Sequence, residues 1–169
     1  MPAEKNAGHS AGSPRPYDLR LEEFFDGELV AEGEFRDPFG RVRRRFSARL
    51  TGVRTGNTLR LTEHFRYDDG ETDAREWTIE ALGDGRYRGT AADVIGEARG
   101  RVENGRLTWS YPIDLAIGGR AWRLRFDDEF RLLAPDALRN TAYVSKFGLP
   151  VGRVYQTISR LKATADANL

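Results

Sequence analysis

Leu59-Arg60-Leu61-Thr62-Glu63-His64-Phe65-Arg66-Tyr67 alternates between two kinds of side chain. Successive side chains of a strand point to opposite faces, so Leu59, Leu61, Phe65 and Tyr67 share one face while Arg60, Thr62, His64 and Arg66 share the other. The stretch reads as a strand with one dry side and one wet side. Glu63 falls on the dry side, where a carboxylate is out of place.

The same period runs outward in both directions. Val42, Phe46, Ala48 and Leu50 alternate with Arg43, Arg45, Ser47 and Arg49. It recurs at Trp77, Ile79 and Ala81, and again at Leu107, Trp109, Tyr111, Ile113 and Leu115. Trp122, Leu124, Phe126 and Phe130 then stand against Arg123, Arg125, Glu129 and Arg131. Short turn-like links separate these runs: Asp37-Pro38-Phe39-Gly40, Gly56-Asn57, Asp68-Asp69-Gly70, Asp84-Gly85, Asn104-Gly105 and Gly118-Gly119. Asn-Gly and Asp-Gly suit a type I′ hairpin, which needs positive φ at both central residues. Consecutive strands are therefore neighbours, and closure would remove the exposed edges of an open meander. The expected fold is all-β, a single up-and-down antiparallel β-barrel of about 8–10 strands.

Leu19, Leu21, Phe24 and Phe25 are spaced for a short helical turn at the N-terminal end, able to plug one barrel end. Gly89, Gly96 and Gly100 are expected inside strands, at a tight corner or a close backbone approach. Residues 1–18, rich in Ala, Gly, Ser and Pro, are expected to be a disordered tail, 19–162 the barrel, and 163–169 a second tail.

The 169 residues suffice for one well-buried domain. Cysteine is absent, which excludes thiol catalysis, thiolate metal sites and disulfides. The 27 basic and 26 acidic residues nearly cancel, so no nucleic-acid partner is expected, and the 24 arginines against 3 lysines do not alter that balance. No run is long and apolar enough for a transmembrane segment, and Met1 to Pro16 holds neither an apolar leader core nor a lipid-accepting cysteine, so the chain as given is expected in the cytoplasm. An envelope location would require that a native signal had been removed.

Counting by two from apolar neighbours places Arg44, Glu63, Asp93, Tyr111 and Asp128 inside the barrel. Unpaired charges there would cost several kcal/mol, so each must be paired, hydrated or engaged by a ligand. His9 falls in the tail and His64 on the outer face, which argues against a Ser-His-Asp triad or a multi-histidine metal site. Consecutive Asp127 and Asp128 point to opposite faces and make a poor metal pair. The basic run Arg41 to Arg45 is divided in the same way, leaving Arg41, Arg43, Arg45 and Arg49 as an outer stripe.

Several stretches also resemble the bacterial domain of unknown function 3833 family: Glu63 to Gly70, Arg75-Glu76-Trp77, Gly89 to Gly100, Trp109-Ser110-Tyr111, Phe126-Asp127-Asp128, Asn140 and Lys146-Phe147-Gly148. The resemblance spans roughly Phe25 to Leu161. It implies a lipocalin-like, or calycin, barrel with relatives that look like envelope lipoproteins, and it assigns no activity. Carried over residue by residue, it points to Glu63, Arg75, Trp77, Asp93, Trp109, Tyr111, Asp128, Asn140 and Lys146.

The leading functional expectation is a non-enzymatic barrel, without a cofactor, that carries a small apolar or lipid-like ligand. Arg44 or Lys146 would meet an anionic head. A cofactor-free isomerase or cyclase using Glu63, Asp93 or Asp128 is the alternative from another class. The third is a structural interaction module with a filled core.

Overall fold

The computed structural model describes residues 19–162, so both expected tails lie outside the described residues. A four-residue helix, α1 (Leu21–Phe24), precedes ten strands: β1 (Gly27–Arg36), β2 (Val42–Thr55), β3 (Thr58–Tyr67), β4 (Thr72–Gly83), β5 (Arg86–Thr90), β6 (Ala98–Glu103), β7 (Arg106–Ile117), β8 (Arg120–Ala134), β9 (Ala137–Lys146) and β10 (Leu149–Arg160). Every strand pairs antiparallel with its chain neighbours. β1 pairs with β10, from Leu29 opposite Arg160 to Arg36 opposite Arg153, and this closes the barrel. Closure leaves no strand at a free edge, although β4 before Thr78 and β7 beyond Ser110 lack a strand partner on the side of β5 and β6.

Asn104 and Gly105 form the two-residue tip between Glu103 and Arg106, with φ of 52° and 72°. These values match the type I′ requirement that makes Asn-Gly the clearest turn signal.

The alternation through Gly89, Ala91 and Asp93 predicts a continuing strand, but β5 stops at Thr90, and residues 91–97 form a loop with a single bridge from Val94 to Ile113. Gly96 accordingly lies in this loop, at φ 68°, and not in a strand interior. Pro112 explains why the loop is tolerated. β6 pairs with β7 only as far as Ser110, and Pro112, which lacks an N–H, faces the gap and accepts a bond from the Ile95 N–H at 2.9 Å.

The two barrel ends differ. At one, α1 packs its apolar residues over the turns after β2, β4, β6 and β8. Leu21, Phe24 and Phe25 are buried with Leu29, Leu50, Leu59, Leu107 and Leu138. Burying each such leucine stabilises the fold by about 1.5–3 kcal/mol. The helix is pinned by Arg160, which donates to the carbonyls of Glu23 and Asp26, and by Tyr87, whose hydroxyl donates to the buried Glu22 carboxylate at 2.8 Å. Gly52 receives the Phe25 carbonyl so closely that a Cβ would collide with it. The opposite end, ringed by the turns after β1, β3, β7 and β9 and the loop after β5, has no such plug among the described residues.

Candidate functional site

The interior has two tiers. In the lower tier an aromatic layer is buried. Trp109 lies across the backbones of Gly89 and Gly100, either of which would clash with its ring if it carried a Cβ. Trp77 meets Trp109 edge-on at 5.7 Å and Tyr111 edge-on at 5.1 Å, and Tyr111 stacks on Phe126 at 5.5 Å. Trp77, Trp109 and Tyr111 are all buried.

Across this aromatic layer runs a polar chain contributed by three adjacent strands. Asn140 on β9 donates through Nδ2 to Asp128 Oδ1 on β8 at 2.9 Å, and Gln156 on β10 donates to Asn140 Oδ1 at 2.9 Å. Asp128 is 8% exposed, and its other oxygen, Oδ2, is buried with no hydrogen-bond partner. Burial pushes the Asp128 carboxyl up to about 7, against the opposing Asn140 bond and with a further upward contribution from Glu63. Burial and the Asp128 charge also raise Tyr111 well above the ordinary phenol range.

On the facing wall Arg75 of β4 grips Asp93, with Nε 3.1 Å from both carboxylate oxygens and Nη2 2.9 Å from Oδ2. Glu63 on β3 is the cross-strand partner of Arg75, yet its carboxylate stands 4.0 Å from Nη1. Burial raises the Glu63 pKa, and Arg75 works in the opposite direction. Burial also disfavours the Arg75 charge, but Tyr111, Glu63 and Asp93 around it hold its pKa above the usual guanidinium value.

The upper tier is open. Phe35, Phe46, Phe65, Tyr67, Phe126 and Val154 lie on the inward face by register, yet each is only half-buried. These residues lie toward the unplugged mouth; inward Ala81, Val102, Phe130 and Leu132 near the plugged end are partly exposed as well. Phe46, Phe65 and Tyr67 form one aromatic cluster, with centroids 5.9 to 6.3 Å apart. Arg44 sits at its edge, 3.6 Å over the Tyr67 ring, and pairs with Asp69 at 2.8 Å and Glu71 at 2.6 Å. Lys146 is on the far side of the mouth, its ammonium 3.9 Å over the Trp122 ring.

The fold thus brings together Glu63, Arg75, Trp77, Asp93, Trp109, Tyr111, Asp128 and Asn140, and leaves Arg44 and Lys146 at the mouth. Glu63, Tyr111 and Asp128 face inward, while His64, Arg123 and Arg125 are exposed on the outer wall, as the alternation requires. Gln156 escapes the sequence reading, although Val154, Gln156 and Ile158 share a face by simple alternation. Asp93 reaches the interior from a loop, so parity places it correctly for a wrong reason. Among the described residues no group of three or more His, Asp or Glu side chains could hold a metal. Two large concavities, about 1230 Å³ around Arg49, His64 and Arg66 and about 320 Å³ beside Tyr155, lie against the outer wall and not within the barrel.

A closed antiparallel barrel, plugged at one end and lined with aromatics above a polar floor, defines a lipocalin-like β-barrel protein. The chain belongs to the protein family of unknown function DUF3833, whose model matches residues 8–160. No curated protein matches it. Among solved structures it is similar to the S-type phycobiliprotein lyase CPES from Guillardia theta, with a TM-score of 0.63 and 9% identity over 84% of this chain and 91% of that one. It is also similar to Rv2717c from M. tuberculosis, with a TM-score of 0.62 and 17% identity over 86% of this chain and 100% of that one. At these identities the likeness is one of fold. No helix among the described residues is long and apolar enough to cross a membrane.

Proposed function

We propose that this protein binds a small, largely apolar molecule in the mouth half of its barrel and is a carrier, not an enzyme. The observation that carries the reading is the partial exposure of inward Phe35, Phe46, Phe65, Tyr67 and Phe126 above a buried aromatic layer. Aromatic walls with a few placed polar groups are the usual composition of a small-molecule site. Glu63, Arg75 and Asp93 form the polar patch on one side of that wall, and Gln156 continues it on another.

The charges constrain the ligand. Arg75 is committed to Asp93, and Arg44 to Asp69 and Glu71, which leaves Lys146 at the rim to meet an anionic head. A lipid-like molecule would enter tail first and leave its head near Lys146 and Trp122. An acid–base reaction is poorly supported. Asp128 is sealed from solvent and Asp93 is held in a bidentate ion pair, which leaves Glu63 without a second free carboxyl.

Palmitate and the dye 1-anilinonaphthalene-8-sulfonate are suitable probes. Both should bind the purified chain, with quenching or energy transfer at the tryptophans. Val154→Trp, which fills the mouth, should abolish binding while keeping a cooperative unfolding transition. A wild-type protein that takes up neither probe, or a Val154→Trp variant that binds as well as wild type, would refute the reading.

A further inference from the structure

Four hairpin tips in this barrel have positive φ at both central residues. Three obey the preference for small or Asx residues at the first position: Asp84-Gly85 with φ of 54° and 71°, Asn104-Gly105 with 52° and 72°, and Gly118-Gly119 with 57° and 77°. The fourth, between β9 and β10, places Phe147 at φ 50° before Gly148 at 76°. A bulky side chain in the left-handed region carries a steric cost that glycine avoids. Packing among the described residues does not recover that cost, because Phe147 is 90% exposed.

Phe147 has company. Phe39, at the tip between β1 and β2, is 85% exposed, and Leu149 is 70% exposed. Ile117 and Trp122 flank the tip between β7 and β8 and are also exposed. These three hairpins are adjacent around the mouth, because β1 pairs with β10 and β9 with β8. Cations accompany the rings: Lys146 lies 3.9 Å over Trp122 and 5.5 Å from Phe147, and Arg41 lies 5.9 Å over Phe39.

The mouth is also polarised. Across residues 36–43, 114–123 and 145–149, six basic side chains (Arg36, Arg41, Arg43, Arg120, Arg123 and Lys146) oppose two acidic ones, Asp37 and Asp114, for a net +4. The remaining hairpin, residues 68–73, carries Asp68, Asp69, Glu71 and Asp73 and no base, for −4, and stays acidic with Arg44 paired to Asp69 and Glu71. A surface of exposed aromatics set among cations complements an anionic bilayer, where rings enter the headgroup layer and cations meet the phosphates. The acidic hairpin would be repelled by that surface. The outer wall, studded with Arg45, Arg49, Arg60, Arg88 and Arg101, is unsuited to the apolar band of a spanning barrel, so contact is confined to the rim.

We infer that the hairpin tips carrying Phe39, Phe147–Leu149 and Ile117–Trp122 form a docking surface for an anionic phospholipid bilayer, with the barrel mouth tilted onto the membrane. This inference stands apart from the interior reading, since it rests on the rim alone.

Cosedimentation with vesicles tests it. The wild-type chain should partition onto vesicles containing phosphatidylglycerol at low salt, weakly onto phosphatidylcholine alone, and less as salt rises. Phe147→Gly is the decisive variant, because glycine suits the turn: its urea midpoint should equal or exceed that of wild type while partitioning falls roughly tenfold. Adding Phe39→Ser should lower it by a similar factor again. Val154→Trp, which alters the interior, should leave partitioning unchanged. Absence of wild-type binding at low salt, or unchanged binding by the double variant, would overturn the inference. So would a wild-type dimer that Phe147→Gly disperses, since the rim would then be an interface between copies of this chain.

Discussion

Replacing Asp128 with asparagine should make the stability of this barrel less dependent on pH. In the folded state burial holds the Asp128 carboxyl up at about 7, against an ordinary value of 3.8. Between those values the native state retains a proton that the unfolded chain has released, so native stability falls as pH rises through the interval. About three pH units at about 1.4 kcal/mol each give a loss of about 4 kcal/mol between acid and pH 8, roughly 3 of which fall between pH 5 and 8. The amide of Asp128→Asn cannot ionise, so the variant escapes this loss. The substitution has a cost of its own, because the new amide places donors where Oδ2 now finds no partner, worth about 1–3 kcal/mol. That cost does not vary with pH. The informative quantity is therefore the difference between the two proteins as a function of pH: wild type should be equal or better at pH 5, and the variant better at pH 8. Urea titrations followed by tryptophan fluorescence would read this as a relative midpoint shift of roughly 1–3 M across the range. Parallel stability curves for the two proteins would refute the reasoning, since Asp128 would then titrate normally.

Arg75→Met should destabilise the barrel by about 3 kcal/mol by leaving Asp93 and Glu63 without their counter-charge, and the deficit should shrink as pH falls and Glu63, whose pKa burial raises, takes up a proton. Chemical denaturation at pH 8 and pH 5 would show it, and an equal deficit at both would count against the ion-pair account. Tyr87→Phe removes the hydroxyl that donates to buried Glu22. Burial alone would raise the Glu22 pKa, but the bonds from Tyr87 and Arg20 lower it overall, so its contribution is present at neutral pH and lost in acid. By thermal or urea unfolding the variant should lose about 1–3 kcal/mol at pH 7 and markedly less near pH 4.

The alternation of apolar and polar residues is sufficient to show which side chains face inward, because a strand has a period of two whatever surrounds it. Glu63, Tyr111 and Asp128 can therefore be assigned to the interior from their immediate neighbours. The hairpin tip at Asn104-Gly105 is equally legible, since the backbone conformation it needs is a local property. Closure is a different matter. The pairing of Leu29 with Arg160 depends on the accumulated twist and stagger of ten strands, which no local stretch encodes. The partner of Arg75 is likewise hidden: its cross-strand neighbour is Glu63, but the bidentate bond goes to Asp93, delivered by a loop whose course is set by the early end of β5 and by Pro112. In the sequence Lys146-Phe147-Gly148 is no more than a shared motif. The significance of Phe147 appears once the tertiary structure gives it a left-handed backbone, leaves its ring uncovered, and sets it beside Phe39 and Trp122 from hairpins far away in the chain. Face and turn are decided by residues next to one another; partners and exposure are decided by what the closed barrel brings alongside.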